Sequence, residues 1–477
     1  MTTRLTFRDL WESPTITTWV SLAISSLKSL VFLPLVVTVY STAEVATWFL
    51  FLSAIAISNL FDLGFYSAGS RLVSYIMAGQ NRVDGTFEEL YGTTEKKINL
   101  ILYSRLYGTY GIIFVVLCLV FFFALITLGT YTISNTINET QDPSILWNSW
   151  IVVIISMICN VYGKKYKTFL HGMNKISLMN RWNTLFGILT LIGGFIVLKI
   201  ELNIFWFVFM TQIFVILSAL RDKFLLINSM PVKSKIPRFY WDKELFMDVW
   251  KPTWRTGLGI LGSSGITEAS GFIYAQYTNP GQLASYLLAL RIMNFVSTIS
   301  KAPFYSKLPI YNKLRAENKL AELSEITKKG IILSLLVFSI TTSLLAIFTE
   351  IILIRIGSNV EFVSLVFWFV MSLVWFIDRN DSMHAQIYST TNKIPFYITI
   401  SITGIINILL LFLLIEEYGI WSFVISTAIA NLVINNWWNV KISLESLNQN
   451  IRYLYKTLVL PIFLFLMLFS IAFLIKG

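Results

Sequence analysis

About a dozen stretches of roughly 20 mostly apolar residues recur along this chain, and one more closes it. They fall near residues 15–40, 45–78, 99–128, 146–170, 176–198, 204–225, 253–277, 283–306, 330–353, 362–388, 395–415 and 420–440, with the last at 457–475. At about 1.5 Å per helical residue, each block matches a hydrocarbon core of about 30 Å. Lipid offers no hydrogen-bond partner to open backbone, so a chain of such blocks folds as membrane-spanning helices. The predicted class is all-α: a polytopic membrane protein with twelve core transmembrane helices and an extra C-terminal one. Hydrophobic residues make up 56% and charged residues 13% of the chain, which excludes a soluble globular domain.

The formal net charge of +11 does not point to nucleic acid, because its distribution carries topology instead. Lys and Arg gather in alternate connections: Arg82, Lys96 and Lys97; then Lys164, Lys165, Lys167 and Lys175; then Arg221 through Lys251; then Lys307 through Lys329. The opposite set offers Lys199 and Arg355. The positive-inside rule therefore predicts a cytoplasmic N-terminus. Residues 1–14, with Arg4, Arg8 and Trp11, read as a cytoplasmic interfacial segment that is not cleaved, since Lys28 interrupts the following apolar run and no small-residue cleavage site is present.

The most polar connection divides the chain into an N-terminal six-helix lobe at 15–225, an inter-lobe loop at 226–252, a C-terminal six-helix lobe at 253–445 and an extra hydrophobic helix at 446–477. Short repeats agree with two lobes. Asn174-Lys175-Ile176 recurs as Asn392-Lys393-Ile394, and Phe65-Tyr66-Ser67 as Phe304-Tyr305-Ser306, each six spans on. An even number of spans makes the repeat parallel, so the pseudo-symmetry axis follows the membrane normal and a cavity between lobes is expected.

Charges inside spans cost about 3 kcal/mol each, so they mark pairs, cavities or both. Lys28 lies about 17 Å into its span with no acid within a turn, which makes it the leading candidate for a substrate-binding cation. Glu268 and Arg291 sit at matching depths, about 12 to 14 Å from the outer face, on helices joined by a short turn, and are expected to pair. The Phe-Tyr-Ser alignment sets Lys301 opposite Asp62, suggesting an inner gate; contacts within each residue's own lobe are the alternative. Asp378 and Asp381 share a face at i, i+3 spacing, near His384, as a protonation site or as an interfacial polar helix end. Arg255 is an interfacial anchor or a cavity cation, and Arg379 a further cavity cation.

Three other signals carry no chemistry. Gly257-Leu258-Gly259-Ile260-Leu261-Gly262 has dinucleotide spacing but lies in an apolar span after no strand, so its glycines serve helix contact or bending. Asn138-Glu139-Thr140 is a sequon in an outside loop. Cys118 and Cys159 fall inside apolar blocks and act as small hydrophobes.

The stretch Asn59-Leu60-Phe61-Asp62-Leu63-Gly64-Phe65, followed by Arg71, resembles the second-helix pattern of Wzx-type O-antigen and capsular oligosaccharide flippases. These are polysaccharide transporters of the multidrug/oligosaccharidyl-lipid/polysaccharide exporter superfamily. The hairpin of spans 7 and 8, followed by Pro309, is similar too, and the likeness extends over about residues 10 to 445. It implies two six-helix bundles in a V, opening alternately to each side of a bacterial inner membrane. The implied cargo is a polyprenyl-pyrophosphate-linked oligosaccharide, moved from the cytoplasmic to the periplasmic leaflet, without cofactor and with H+ or Na+ as coupling ion. In that family cavity cations are associated with the anionic lipid-linked substrate; here the matching positions are Lys28, Arg291 and Lys301, then Arg255 and Arg379. Asp62, Glu268, Asp378 and Asp381 are the gating or ion-coupling candidates. Membrane lipid and polysaccharide polymerase or assembly proteins are the implied partners of a monomer. The final span departs from the usual twelve. A small-molecule exporter of the same superfamily would rest on the acids instead. A membrane glycan polymerase or glycosyltransferase would need a large outside loop or an acidic motif in one, and the sequence has neither.

Overall fold

The computed structural model describes residues 11, 13–77, 98–230, 239–391 and 396–476, and all their regular structure is helical. Ten helices in it are long and apolar enough to cross a membrane. The protein is an all-helical polytopic membrane protein. Its chain divides into two compact units, Met1–Ile260 and Leu261–Gly477.

The first unit runs α1 (Pro14–Val39), α2 (Thr42–Leu60), α3 (Phe65–Met77), α4 (Leu100–Ala124), α5 (Thr130–Asn138), α6 (Pro143–Gly172), α7 (Ile176–Lys199), α8 (Ile204–Ser229) and α9 (Lys243–Ile260). Local chemistry sets several ends. Ser13 caps α1 by accepting from the Ile16 amide, with Pro14 in the first turn. Ser41 and Glu44 form a reciprocal capping box at α2.

The expected second span is broken. Leu63 (φ 50°) and Gly64 (φ 91°) adopt the left-handed region and separate α2 from α3. A Cβ on Gly64 would stand 3.0 Å from Thr256 Cβ, and one on Gly257 would stand 3.0 Å from the Leu63 carbonyl oxygen. Helix α9 therefore packs against the break and belongs to the first unit, which ends at Ile260. The N-terminal boundary of the seventh span shifts, since α9 begins at Lys243 rather than 253. The expected outside loop after span 3 is helical as far as Asn138.

The second unit runs α10 (Ile266–Tyr274), α11 (Pro280–Tyr305), α12 (Leu308–Ala316), α13 (Leu320–Ile356), α14 (Leu365–Ser389), α15 (Phe396–Tyr418), α16 (Trp421–Ala430), α17 (Asn436–Ser446) and α18 (Ile451–Lys476). Asn279 caps α11 by accepting from the Gln282 amide, with Pro280 in its first turn. Wider π-helical turns interrupt the ladder at Leu125–Gly129, Leu261–Gly265 and Asn431–Asn435. The C-terminal helix α18 is integral to the unit. Its Tyr453 hydroxyl lies 2.9 Å from Thr327 Oγ1 on α13, and Phe465, Phe469 and Phe473 surround Phe369 of α14.

The two Phe-Tyr-Ser copies sit on opposite sides of a helix break: Phe65 opens α3 after the turn, whereas Phe304 and Tyr305 close α11 before one. Asn392-Lys393-Ile394, and the loop cations Arg4, Arg8, Arg82, Lys96, Lys97, Lys233, Lys235 and Arg238, lie outside the described residues.

Candidate functional site

Polar residues along the helices of the second unit repeat every three or four positions, the period that gathers them on one face. On α11 the row is Tyr286, Asn294, Ser297, Lys301 and Tyr305; on α14 it is Trp375, Asp378, Ser382, Gln386 and Ser389. Thr403 and Asn407 extend it on α15. Thr427, Asn431, Asn435 and Asn439 carry it through α16, the π turn and α17. All of these rows face one cavity of about 680 Å³, whose wall also includes Gly262, Ser264, Thr267 and Glu268. Three helical segments of the expected spans are missing from the ten most apolar: Lys243–Tyr274, Leu365–Ser389 and Trp421–Ser446. Two of them, and the end of the third, line this cavity, so wall residues such as Glu268, Asp378, Asp381 and Asn435 contribute to their low hydropathy.

Two buried networks hold the wall. Arg379, 3% exposed, donates from Nη2 to the Ser297 carbonyl oxygen at 3.0 Å and also to Ser297 Oγ. Asp381, 4% exposed, accepts at Oδ2 from Asn435 Nδ2 at 3.0 Å and Asn439 Nδ2 at 3.1 Å, with no ion pair among the described residues. Its Oδ1 has no hydrogen-bond partner among them. Glu268 and Arg291 pair at 3.1 Å, and Asn294 lies 3.5 Å from the other Glu268 oxygen. Asp378 and Lys301 also line the cavity; neither side chain forms a hydrogen bond or a close ion pair among the described residues, but the two opposite charges act on each other at longer range, with Arg379 beside them. Counting wall residues, three acids (Glu268, Asp378 and Asp381) stand beside two bases (Lys301 and Arg379). A cavity dominated by bases is therefore not what this unit contains.

The first unit buries charges that sequence reasoning placed in a cytoplasmic connection. Lys164 and Lys165 belong to α6 and are 8% and 1% exposed. Lys164 pairs with Asp62 Oδ1 at 2.6 Å and also donates to the Asn59 carbonyl oxygen, freed by the end of α2. Asp62 Oδ2 accepts from the Tyr66 amide at 3.1 Å, and Asn160 Nδ2 donates to Asn59 Oδ1 at 2.9 Å. The Lys165 ammonium lies 3.8 Å from the centre of the Tyr107 ring. Arg221, also expected in a loop, lies in α8 and grips buried Asp222 through Nε at 2.9 Å and Nη2 at 2.5 Å. The Asp62 partner within its own unit is thus Lys164.

Among the other candidates, Lys28 is half-buried on α1 and has no hydrogen bond or ion pair among the described residues. Arg255 is exposed on α9, its guanidinium 5.6 Å from the Trp254 ring centre. His384 is fully buried, with Nδ1 3.0 Å from Ser443 Oγ, which makes it part of helix packing behind the cavity. The adjacent indoles of α17, Trp437 and Trp438, are exposed and do not line the cavity. Gly257 and Gly262 are in close helix contact, as the glycine reading requires, while Gly259 faces open space. Cys118 and Cys159 are free thiols. No group of three or more His, Cys, Asp or Glu among the described residues is placed to hold a metal ion.

No family model matches the chain, and no curated protein matches it in sequence. Solved structures do. An inward-facing multidrug resistance MATE family transporter of the MOP superfamily aligns with a TM-score of 0.59, covering 90% of this chain and 98% of that one at 12% identity. The lipid II flippase MurJ, in an inward closed conformation, aligns with a TM-score of 0.62 over 97% of this chain and 98% of that one, at 16% identity. The fold is the MOP-superfamily fold. The MATE multidrug transporter DinF-BH shares it at a TM-score of 0.57 and 12% identity, covering 95% of this chain and 98% of that one. Flippases and drug exporters thus stand side by side among its structural neighbours. The fold expected from the second-helix pattern is the one found.

Proposed function

We propose that this chain is a flippase that carries a polyprenyl-pyrophosphate-linked oligosaccharide, such as an O-antigen or capsule repeat unit, from the cytoplasmic to the periplasmic leaflet by alternating access. Its place would be a bacterial inner membrane, with the N-terminus cytoplasmic as the loop charges indicate. The supporting observation is a pair of intramembrane lysines, Lys28 and Lys301, each without an ion-pair partner among the described residues, in a MOP fold whose neighbours include a lipid II flippase. An ammonium inside a bilayer calls for water, a carboxylate or an anionic ligand. A pyrophosphate supplies the charge, and unpaired lysines can release it again.

In this proposal Arg291 is less available, since Glu268 holds it, and Arg379 is committed to Ser297. Coupling to H+ or Na+ would fall to the acids, with Asp381 the best placed because two amides hold one of its oxygens, no cation pairs with it among the described residues and the Asp378 carboxylate acts on it; Asp62, paired with Lys164, is a gate element of its own unit. The chain acts as a monomer, with polymerase or assembly proteins as partners and no catalytic residue.

The test is a leaflet-orientation assay in proteoliposomes with a purified lipid-linked oligosaccharide. Protein-dependent loss of the glycan from the loaded leaflet is expected. Glycan movement equal to that in empty liposomes, alongside efflux of a cationic dye, would instead establish the second reading, a cation-coupled small-molecule exporter. That reading draws on the MATE likeness and on the excess of acids in the second unit's cavity.

A further inference from the structure

The cavity of the second unit contains more than an ion needs. A bound cation occupies about the space of one or two waters, roughly 30 to 60 Å³, whereas this cavity encloses about 680 Å³. That volume lies in the range of about 300 to 1,000 Å³ typical of organic-ligand sites. Four wall groups form no hydrogen bond, close ion pair or ring contact among the described residues: the Lys301 ammonium and the Asp378 carboxylate, which act on each other electrostatically along the wall, the Asn431 amide and the Trp375 ring. They come from three different helical segments, so no local helix chemistry accounts for their convergence.

We infer that this cavity seats the pyrophosphate-proximal sugars of the cargo, with Asp378 and Asn431 hydrogen-bonding ring hydroxyls, Trp375 stacking on the apolar face of a pyranose and Lys301 meeting the pyrophosphate. Carboxylate and amide oxygens accept from hydroxyls, and the amide also donates, so the pair suits vicinal diols that are donors and acceptors at once. A pyranose presents axial C–H groups on one face, which an unstacked indole covers. Lys301 adds the anion contact at the same wall, where the sugar joins its phosphate. The ligand class is a neutral or N-acetylated hexose glycan on a polyprenyl pyrophosphate. Asp381, held back by Asn435 and Asn439, is left for a coupling ion.

This inference rests on the flippase proposal, and binding measurements separate the two. The full chain in detergent would be titrated with a short polyprenyl pyrophosphate and with the same lipid bearing an N-acetylglucosamine disaccharide, read by native mass spectrometry. The glycan-bearing lipid should bind about tenfold tighter, the equivalent of one hydrogen bond to a charged group. Asp378→Asn and Trp375→Leu should each cut that ratio to about threefold or less while leaving the bare lipid unchanged, and Trp375→Phe should restore part of it. Equal binding of both lipids by the unsubstituted protein would overturn the sugar site and leave the flippase proposal standing. Binding of neither lipid would overturn both. An undiminished ratio in the variants, with thermal stabilisation by NaCl lost in Asp378→Asn, would make the wall a cation site and overturn the inference. Unfolding of Trp375→Leu alone would leave Asp378→Asn to decide.

Discussion

Replacing Lys164 by methionine removes the single cation that faces Asp62 at 2.6 Å. The two side chains are 10% and 14% exposed, so little water is available to take over. Asp62 would keep the Tyr66 amide at Oδ2 and lose its partner at Oδ1, and the Asn59 carbonyl oxygen at the end of α2 would lose its donor. Removing one member of a buried pair costs about 3 to 5 kcal/mol, chiefly because the other charge stays behind. Asp62→Asn removes that charge while an amide oxygen still accepts from Tyr66. The double variant Asp62→Asn/Lys164→Met should therefore lie above Lys164→Met in stability, with a coupling energy of about 2 to 3 kcal/mol. The assay is equilibrium unfolding of all four proteins in mixed detergent micelles, followed by tryptophan fluorescence. Additive losses, with coupling below about 0.5 kcal/mol, would refute the claim that the pair fastens the break between α2 and α3.

Gly64→Ala should destabilise the protein by about 1 to 3 kcal/mol, since the residue must hold φ 91° with Thr256 3.0 Å from the new methyl; an unchanged melting temperature would contradict this. Lys28→Ala should lower translocation about tenfold or more while membrane insertion, checked by fractionation, is unaffected, and wild-type transport would remove Lys28 from the pathway. Arg291→Met should impair the protein more than Glu268→Gln/Arg291→Met together, as the single change strands a carboxylate 13% exposed; a reversed order in thermal unfolding would count against the pair. Lys476→Ala should shift stability by less than about 1 kcal/mol because its partner Glu350 is 58% exposed, whereas deletion of α18 should unfold the second unit in a protease-sensitivity assay.

The sequence made the spans readable because lipid imposes one length and one chemistry on every crossing helix. Glu268 and Arg291 were also readable, since a short turn brings adjacent helices side by side and fixes their relative depth. Lys164 was not. A cluster of three lysines reads as a cytoplasmic connection, and the acid that draws one of them inside is 102 residues away in sequence. The tripeptide matching that set Lys301 opposite Asp62 could not show where each copy stands in its helix: Phe65 follows the break at Leu63 and Gly64, whereas Phe304 and Tyr305 close α11. The cavity rows were present all along as polar residues at helical spacing. What could not be read was that four such rows meet, because that depends on rotation about each helix axis.

The π turn at Asn431–Asn435 sets one of those rotations. A π turn is a helix with one residue more than the α ladder accommodates, so the segment beyond it is turned by about 100° relative to an uninterrupted helix. Excising a single residue between Ala430 and Asn436 would restore a regular ladder and sweep the face of α17 aside, carrying Asn439 away from Asp381 while leaving the span long enough to cross. A one-residue length difference at this place between two related chains would thus separate proteins with an amide-lined carboxylate from proteins without one, although their hydropathy profiles would be indistinguishable.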